Sequence, residues 1–278
     1  MFTRILVLAF LLAALPARAA EPAYSFGVLS QRSAVLTAQY WNPILDYVSA
    51  RAHVQLRLKV ARTAPESNDA LDRGEYDFVY SNTIFRPSAL AQGYSVIARP
   101  RTAPITGQIV TLEDSPVKNL ADLAGQVVGF PSRAAFVGYA VPMDHLLREG
   151  IAVTPVFGGN QEGIMAQLKA GKVMAAGVNG AVMEAFAARE GVRYRVLWRS
   201  QGFLDLPVAA HPRVPPAVRA AVRAALAGMS EDAEGARVLE ASARILQQKP
   251  PYGFVPADDK DYHNYVEFYR ETRVQDIE

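Results

Sequence analysis

Along this chain the spacing of apolar positions switches repeatedly between a period of two and a period near 3.6. YSFGVLS (24–30) is a short apolar run ending in polar residues, and VQLRLKVA (54–61) alternates; both predict strands. Between them TAQYWNPILDYVSARA (37–52) places Ile44 and Val48 at helical spacing beside Leu45 and Tyr47. PESNDALDRG (65–74) predicts a second helix ended by Gly74, and YDFVYS (76–81) a third strand. The order then recurs. QVVGFPS (126–132), VTPVFGG (153–159) and VMAAGVN (173–179) predict strands. FVGYAVPMDHLLREG (136–150), with a break or kink at Pro142, and QEGIMAQLKAG (161–171) predict the helices between them.

The recurrence extends to single residues. LDRGEYDFVYSN (71–82) and LKAGKVMAAGVN (168–179) each carry a Leu, a Gly three residues later and an Asn eight residues after the Gly. FGVLS (26–30) answers to VGFPS (128–132), and Ala61-Arg62-Thr63 to Gly158-Gly159-Asn160. Two β-α-β-α-β units predict an α/β protein of two similar lobes. YSVIARP (94–100), GQIVTLEDSP (107–116), YRVLWRS (194–200) and LPVAAHP (206–212) predict strands that lead into and out of the second unit. Pro215-Pro216 opens a helix with Val218, Val222, Leu226 and Met229 on one face, and a further helical region covers 232–247. The aromatic, charged tail from Lys249 is expected to pack across the outside. The expected division is therefore 20–105 plus 210–278 for one lobe and 106–209 for the other, joined by a two-segment hinge.

The N-terminus changes the picture of where the protein works. A basic start, the apolar run ILVLAFLLAALP and the small-residue site Ala17-Arg18-Ala19 predict a secretory signal peptide over residues 1–19. The run is too short to span a bilayer comfortably, and with no cysteine in the chain a lipoprotein anchor at the cut is excluded. Of 29 Lys plus Arg, cleavage removes Arg4 and Arg18, leaving 27 against 27 Asp plus Glu. A formally neutral exported chain argues against nucleic acid or an anionic membrane surface as partner. Absence of cysteine also rules out disulfides and thiolate metal sites. The four histidines lie apart from one another and from carboxylates at metal spacing, so no metal or other cofactor is expected.

In open α/β sheets ligands bind beyond the carboxyl ends of the strands. That rule selects six loops: Ser30-Gln31-Arg32, Arg62-Thr63, Tyr80-Ser81-Asn82, Ser132-Arg133, Asn160-Gln161-Glu162 and Asn179-Gly180. They precede helix starts, where unpaired N–H groups and the helix dipole favour an anion. The candidate ligand residues are Gln31, Arg62, Thr63, Tyr80, Ser81, Asn82, Ser132, Arg133, Asn160 and Asn179. Each has a plainer alternative: Ser132 and Asn160 as helix caps, Asn82 and Asn179 as residues tolerant of left-handed turns, Tyr80 as core, Arg62 and Arg133 as solvated charges. No GxSxG, HExxH, Walker or GxGxxG motif is present, and no nucleophile–base pair is legible.

FGVLS (26–30), WNPILDYVS (41–49), LDRGEYDFVYSN (71–82), DSPVKNLADLAGQVVGFPS (114–132), LKAGKVMAAGVNGAVME (168–184) and RVLWRS (195–200), taken in order, are similar to one family. The chain resembles the phosphate, phosphite and phosphonate substrate-binding proteins of ABC transporters, within the type II periplasmic binding fold. The resemblance implies two lobes, each a mixed sheet flanked by helices, closing over a small oxyanion. It implies a periplasmic monomer that meets an ABC transporter permease and is not an enzyme. Within it, Tyr80 matches a tyrosine facing the oxyanion and Ser132 the first hydroxyl of a Ser/Thr-rich loop. Asn160 stands where many members have His, and Asn179 where many have a ligand-facing Asp. Here that loop is Ser132-Arg133-Ala134-Ala135-Phe136, with most hydroxyls gone. An amide at 179 can accept a hydrogen bond but carries no charge, which together with Arg133 favours a more fully ionised or differently shaped anion. A related branch senses arsenite for a membrane histidine kinase through a cysteine, which this chain lacks. Three readings stand at this point: a solute-binding protein for a transporter, a sensor subunit of the same fold presenting itself to a membrane kinase, and a secreted enzyme using the cleft.

Overall fold

The computed structural model describes residues 22–277; the signal-peptide segment lies outside the described residues. The first β-α-β-α-β unit is β1 (Ala23–Val28), α1 (Ala34–Ala52), β2 (Gln55–Val60), α2 (Ala64–Asp72) and β3 (Phe78–Tyr80). Its strands are parallel in the order β2-β1-β3. The second unit is β6 (Val127–Phe130), a helical segment, β7 (Thr154–Phe157), α5 (Gln161–Lys169) and β8 (Ala175–Asn179). Its parallel order, β7-β6-β8, is the same. Register brings the carboxyl ends level: Val28 lies beside Val60 and Tyr80 in one sheet, and Phe130 beside Phe157 in the other.

Each parallel trio is extended by antiparallel strands, and the crossings between lobes supply them. After the short α3 (Pro87–Leu90) and β4 (Ser95–Pro100) the chain crosses to become β5 (Gly107–Leu112), which pairs with β8. After β9 (Tyr194–Arg199), which flanks β5, it crosses back to become β10 (Val208–Ala210), seated between β3 and β4. The first sheet thus reads β11-β4-β10-β3-β1-β2 and the second β7-β6-β8-β5-β9, where β11 is Phe254–Pro256. The crossing segments pair with each other: the Ile105 N–H donates to Phe203 O at 2.7 Å and the Phe203 N–H to Ile105 O at 2.8 Å. Both residues are buried, so the hinge lies inside the apolar core.

The helices follow from amphipathic spacing and caps. α1 buries Trp41, Ile44, Leu45 and Val48 against its sheet, is capped by Ser33, and carries Pro43 inside it. Pro142 sits at the start of α4 (Val141–Arg148), where a π-helical turn over Phe136–Ala140 gives way to regular helix. α7 (Pro216–Gly228) and α8 (Ala233–Ile245) cover the first lobe, with Val222, Leu226 and Met229 fully buried. α6 (Gly180–Glu190) follows β8 directly. The echo between the halves is a repeated turn: Gly74 and Gly171 both take positive φ, +64° and +69°, just past α2 and α5. Among the described residues no helix is long and apolar enough to cross a membrane.

The tail departs from the sequence expectation. It does not lie across the outside: β11 adds an edge strand, and Tyr262 and Tyr265, beside α9 (His263–Glu271), are fully buried. Their rings stack with Phe85 of the first lobe and Phe136 of the second. Residues 272–277 then run over the second lobe. Asp144 accepts from the Arg273 N–H at 2.7 Å and from Thr272 Oγ1 at 3.0 Å, and Val274 joins the second-lobe core. Asp276 accepts from the Tyr139 hydroxyl at 2.6 Å and from Arg133 Nε at 2.8 Å. Partial burial pushes the Asp276 carboxyl up, but those hydrogen bonds and the Arg133 charge outweigh it and hold it below its ordinary value.

Removing residues 272–278 is expected to cost on the order of 3 kcal/mol, from one buried valine and several lost hydrogen bonds, a fall in Tm of roughly 6–12 °C. The Asp276 share is present above the ordinary carboxylate range and lost as pH falls through the folded-state value. Thermal melts of wild type and Asp276→Asn should therefore differ at neutral pH and converge in acid.

Candidate functional site

The two sets of strand ends face each other across a cavity of about 30 Å³. Its walls come from both lobes: Leu29, Gln31, Ala64 and Asn82 from the first, and the 131–138 stretch with Asn160, Gln161 and Asn179 from the second. The hinge residues Ile105 and Leu206 close it. Among the described residues no charged side chain lines it.

Local chemistry sets each polar group in place. Asn160 caps α5, its Oδ1 accepting from the Gly163 N–H at 2.8 Å. Asn179 caps α6, accepting from the Ala181 and Val182 N–H groups at 3.0 and 3.4 Å. Asn82 precedes a short 3-10 turn. Both Asn82 and Asn179 keep negative φ (−87° and −73°), so tolerance of left-handed turns is not why either stands there. Asn82 lines the cavity, and its Oδ1, an acceptor, is buried without a hydrogen-bond partner among the described residues.

The wall from the second lobe is mainly backbone. The Ala135 N–H turns back to Ser132 O at 3.1 Å, and the π-helical turn begins at Phe136. Among the described residues the N–H groups of Ala134, Phe136, Val137 and Gly138 have no acceptor, and all four residues line the cavity. They open a continuous helical segment over 136–148, so its dipole adds to their partial positive charge. At Gly138 the approach is close: a Cβ there would lie 2.5 Å from Gln161 Nε2 and 2.9 Å from Pro131 Cγ, so a side chain would push Gln161 aside. Buried Gln161 in turn accepts from the Asn179 N–H at 3.1 Å through Oε1.

Of the sequence candidates, Gln31, Asn82, Ser132, Asn160 and Asn179 line this cavity. Tyr80 does not. Its ring packs on Trp41 at 4.8 Å and lines an adjoining cavity within the first lobe. Arg62 lies outside, its exposed side chain paired at 2.7 Å with Glu66 one turn along α2. Thr63 is the exposed cap of that helix, accepting from the Glu66 N–H at 3.2 Å. Ser81 is buried and bonded to Thr83 Oγ1 at 2.7 Å. Arg133 turns away, held by Asp276 and lying over the Phe157 ring at 4.5 Å. Gln161 fell within a selected loop but was not singled out. The amides of 134–138 had no side-chain signal to betray them.

A family model described as the periplasmic substrate-binding protein of a phosphonate ABC transporter matches residues 26–262. Among solved structures, a binding-protein component of an ABC phosphonate transporter from Pseudomonas aeruginosa superposes with a TM-score of 0.74 at 16% identity, covering 90% of this chain and 87% of that one. PhnD1 from Prochlorococcus marinus, in complex with methylphosphonate, gives 0.73 at 14% identity over 90% and 97% of the two chains. A Xanthomonas citri protein bound to chloride gives 0.72 at 19% identity over 89% and 96%. No curated protein matches.

Asn179→Ala should destabilise the protein by about 1 kcal/mol through loss of the α6 cap, whereas Asn179→Asp, which can still cap, should melt within about 0.5 kcal/mol of wild type. Chemical denaturation of the two variants checks this.

Proposed function

The chain belongs to the periplasmic substrate-binding proteins of phosphonate ABC transporters, and from that premise we propose that its interlobe cavity holds a compact tetrahedral oxyanion of the phosphonate, phosphite or phosphate class. A solute-binding role with an ABC permease as partner comes with the family. The proposal adds the ligand, the residues and the way they hold it.

The observation that carries the reading is the row of unpaired N–H groups at Ala134, Phe136, Val137 and Gly138, four residues that line a cavity without a charged wall among the described residues. Buried donors without acceptors are costly unless something accepts from them. Donors at a helix start favour an acceptor with negative charge. Ser132 Oγ, the Asn82 amide and Gln161 Nε2 add side-chain groups around the same space. The cavity has no carboxylate to share a proton with the ligand, which favours the more fully ionised form. We further propose that the lobes comprise 20–105 plus 210–278 and 106–209, with the paired segments around Ile105 and Phe203 as the hinge. In the same reading residues 1–19 are an export signal, and the mature chain works as a non-catalytic monomer.

The test is a thermal-shift and calorimetry panel on the mature protein with phosphite, phosphate, methylphosphonate, sulfate and a neutral sugar. A binding oxyanion at a hundredfold excess over its Kd should raise stability by about 2.7 kcal/mol, roughly 5–11 °C in Tm. Response to the sugar alone would refute the anion reading. Asn179→Asp should weaken methylphosphonate binding by about tenfold or more, and more strongly at high pH, where carboxylate meets dianion.

A further inference from the structure

Next to the interlobe cavity lies a second one of about 30 Å³, and Leu29 and Gln31 line both. Its other walls include Arg32, Tyr40, Trp41, Tyr80 and Gln248. Among the described residues Arg32 is the only charged side chain lining either cavity. It is half-buried, and among the described residues it makes no hydrogen bond and no ion pair within 4 Å. The nearby acid, Asp205, has its oxygens engaged by the Leu206 N–H at 2.8 Å and Thr102 Oγ1 at 3.2 Å, and it lines neither cavity.

The remaining groups suit an acid. Burial pushes the Tyr40 hydroxyl up to about 12 and the Tyr80 hydroxyl well above its ordinary value, so both stay protonated and able to donate. Among the described residues the Tyr80 hydroxyl makes no hydrogen bond, while its ring and that of Tyr40 flank Trp41 at 4.8 and 5.4 Å. These faces give an apolar lining on which a short carbon linker can rest. A guanidinium fork with a tyrosine hydroxyl beside it matches a carboxylate or a second oxyanion.

We propose that the ligand carries two acid groups on a short linker. The tetrahedral oxyanion lies on the amides of 134–138, and the second acid enters the adjoining cavity, where Arg32 and Tyr80 bind it. The inference rests on the oxyanion reading of the interlobe cavity and deepens it. Small phosphonocarboxylates are the class that fits.

Calorimetry with methylphosphonate and phosphonoacetate, on wild type and Arg32→Gln, tests it. Wild type should bind phosphonoacetate at least about tenfold more tightly than methylphosphonate, the range of a charge-assisted hydrogen-bonded pair. Arg32→Gln should abolish that preference while leaving methylphosphonate affinity within about threefold and the ligand-free Tm unchanged. Should the variant fail to fold, the carboxyl methyl ester of phosphonoacetate on wild type gives the same answer, because neutralising the second acid should remove the gain. Equal or tighter binding of methylphosphonate, an ester as tight as the acid, or an Arg32→Gln loss shared by both ligands would overturn the two-acid inference and leave the oxyanion reading standing. If methylphosphonate, phosphite and phosphate all fail to bind, the oxyanion reading fails and this inference falls with it.

Discussion

Unpaired backbone N–H groups in the wall of a small uncharged cavity are the constraint around which the rest of this molecule is arranged. Four such groups at 134–138 face a cavity with no charged wall. Their placement depends on a fixed helix behind them and on facing strand ends that are level. The parallel register of each sheet supplies the first alignment, since Val28, Val60 and Tyr80 on one side and Phe130 and Phe157 on the other end together. The buried pairing of Ile105 with Phe203 then brings the two sets of ends to a common gap.

Neutral donors suit this task better than a lysine or arginine would. A charged side chain in so small a cavity must be desolvated in every empty molecule, at a cost that falls on the unliganded state. Backbone amides carry a smaller penalty, cannot swing away and keep their direction through the helix that follows. The π-helical turn at Phe136–Ala140 matters because it widens the first turn, and regular helix resumes only at Val141. Gln161, admitted by the missing side chain of Gly138, links this wall to the Asn179 cap, so three loops of the second lobe act as one surface.

Much of this was legible in the chain. Period-two runs gave the strands, Gly74 and Gly171 gave the turns, and the Asn eight residues after each lies on the cavity. What escaped was of two kinds. Backbone donors leave no trace in side-chain pattern: a stretch reading Ala-Ala-Phe-Val-Gly looks like a site that has lost its hydroxyls, although its amides remain. Partners distant in sequence are equally silent. Arg133 stands at a strand tip, yet Asp276, far along the chain, draws it out of the cavity. Arg62 was the more readable miss, because Glu66 at helical spacing was there to capture it. Tyr262 and Tyr265 looked like surface aromatics of a tail, and only their stacking on Phe85 of the first lobe and Phe136 of the second draws them into the core.

The run of 272–277 over the second lobe has a mechanical meaning. Two neighbouring strands of chain joining a pair of rigid bodies leave one easy rotation, about the line through them. A third tether, anchored well away from that line at Asp144, Tyr139 and Arg133, resists it. Wide separation of the halves would require these last six described residues to peel off or stretch.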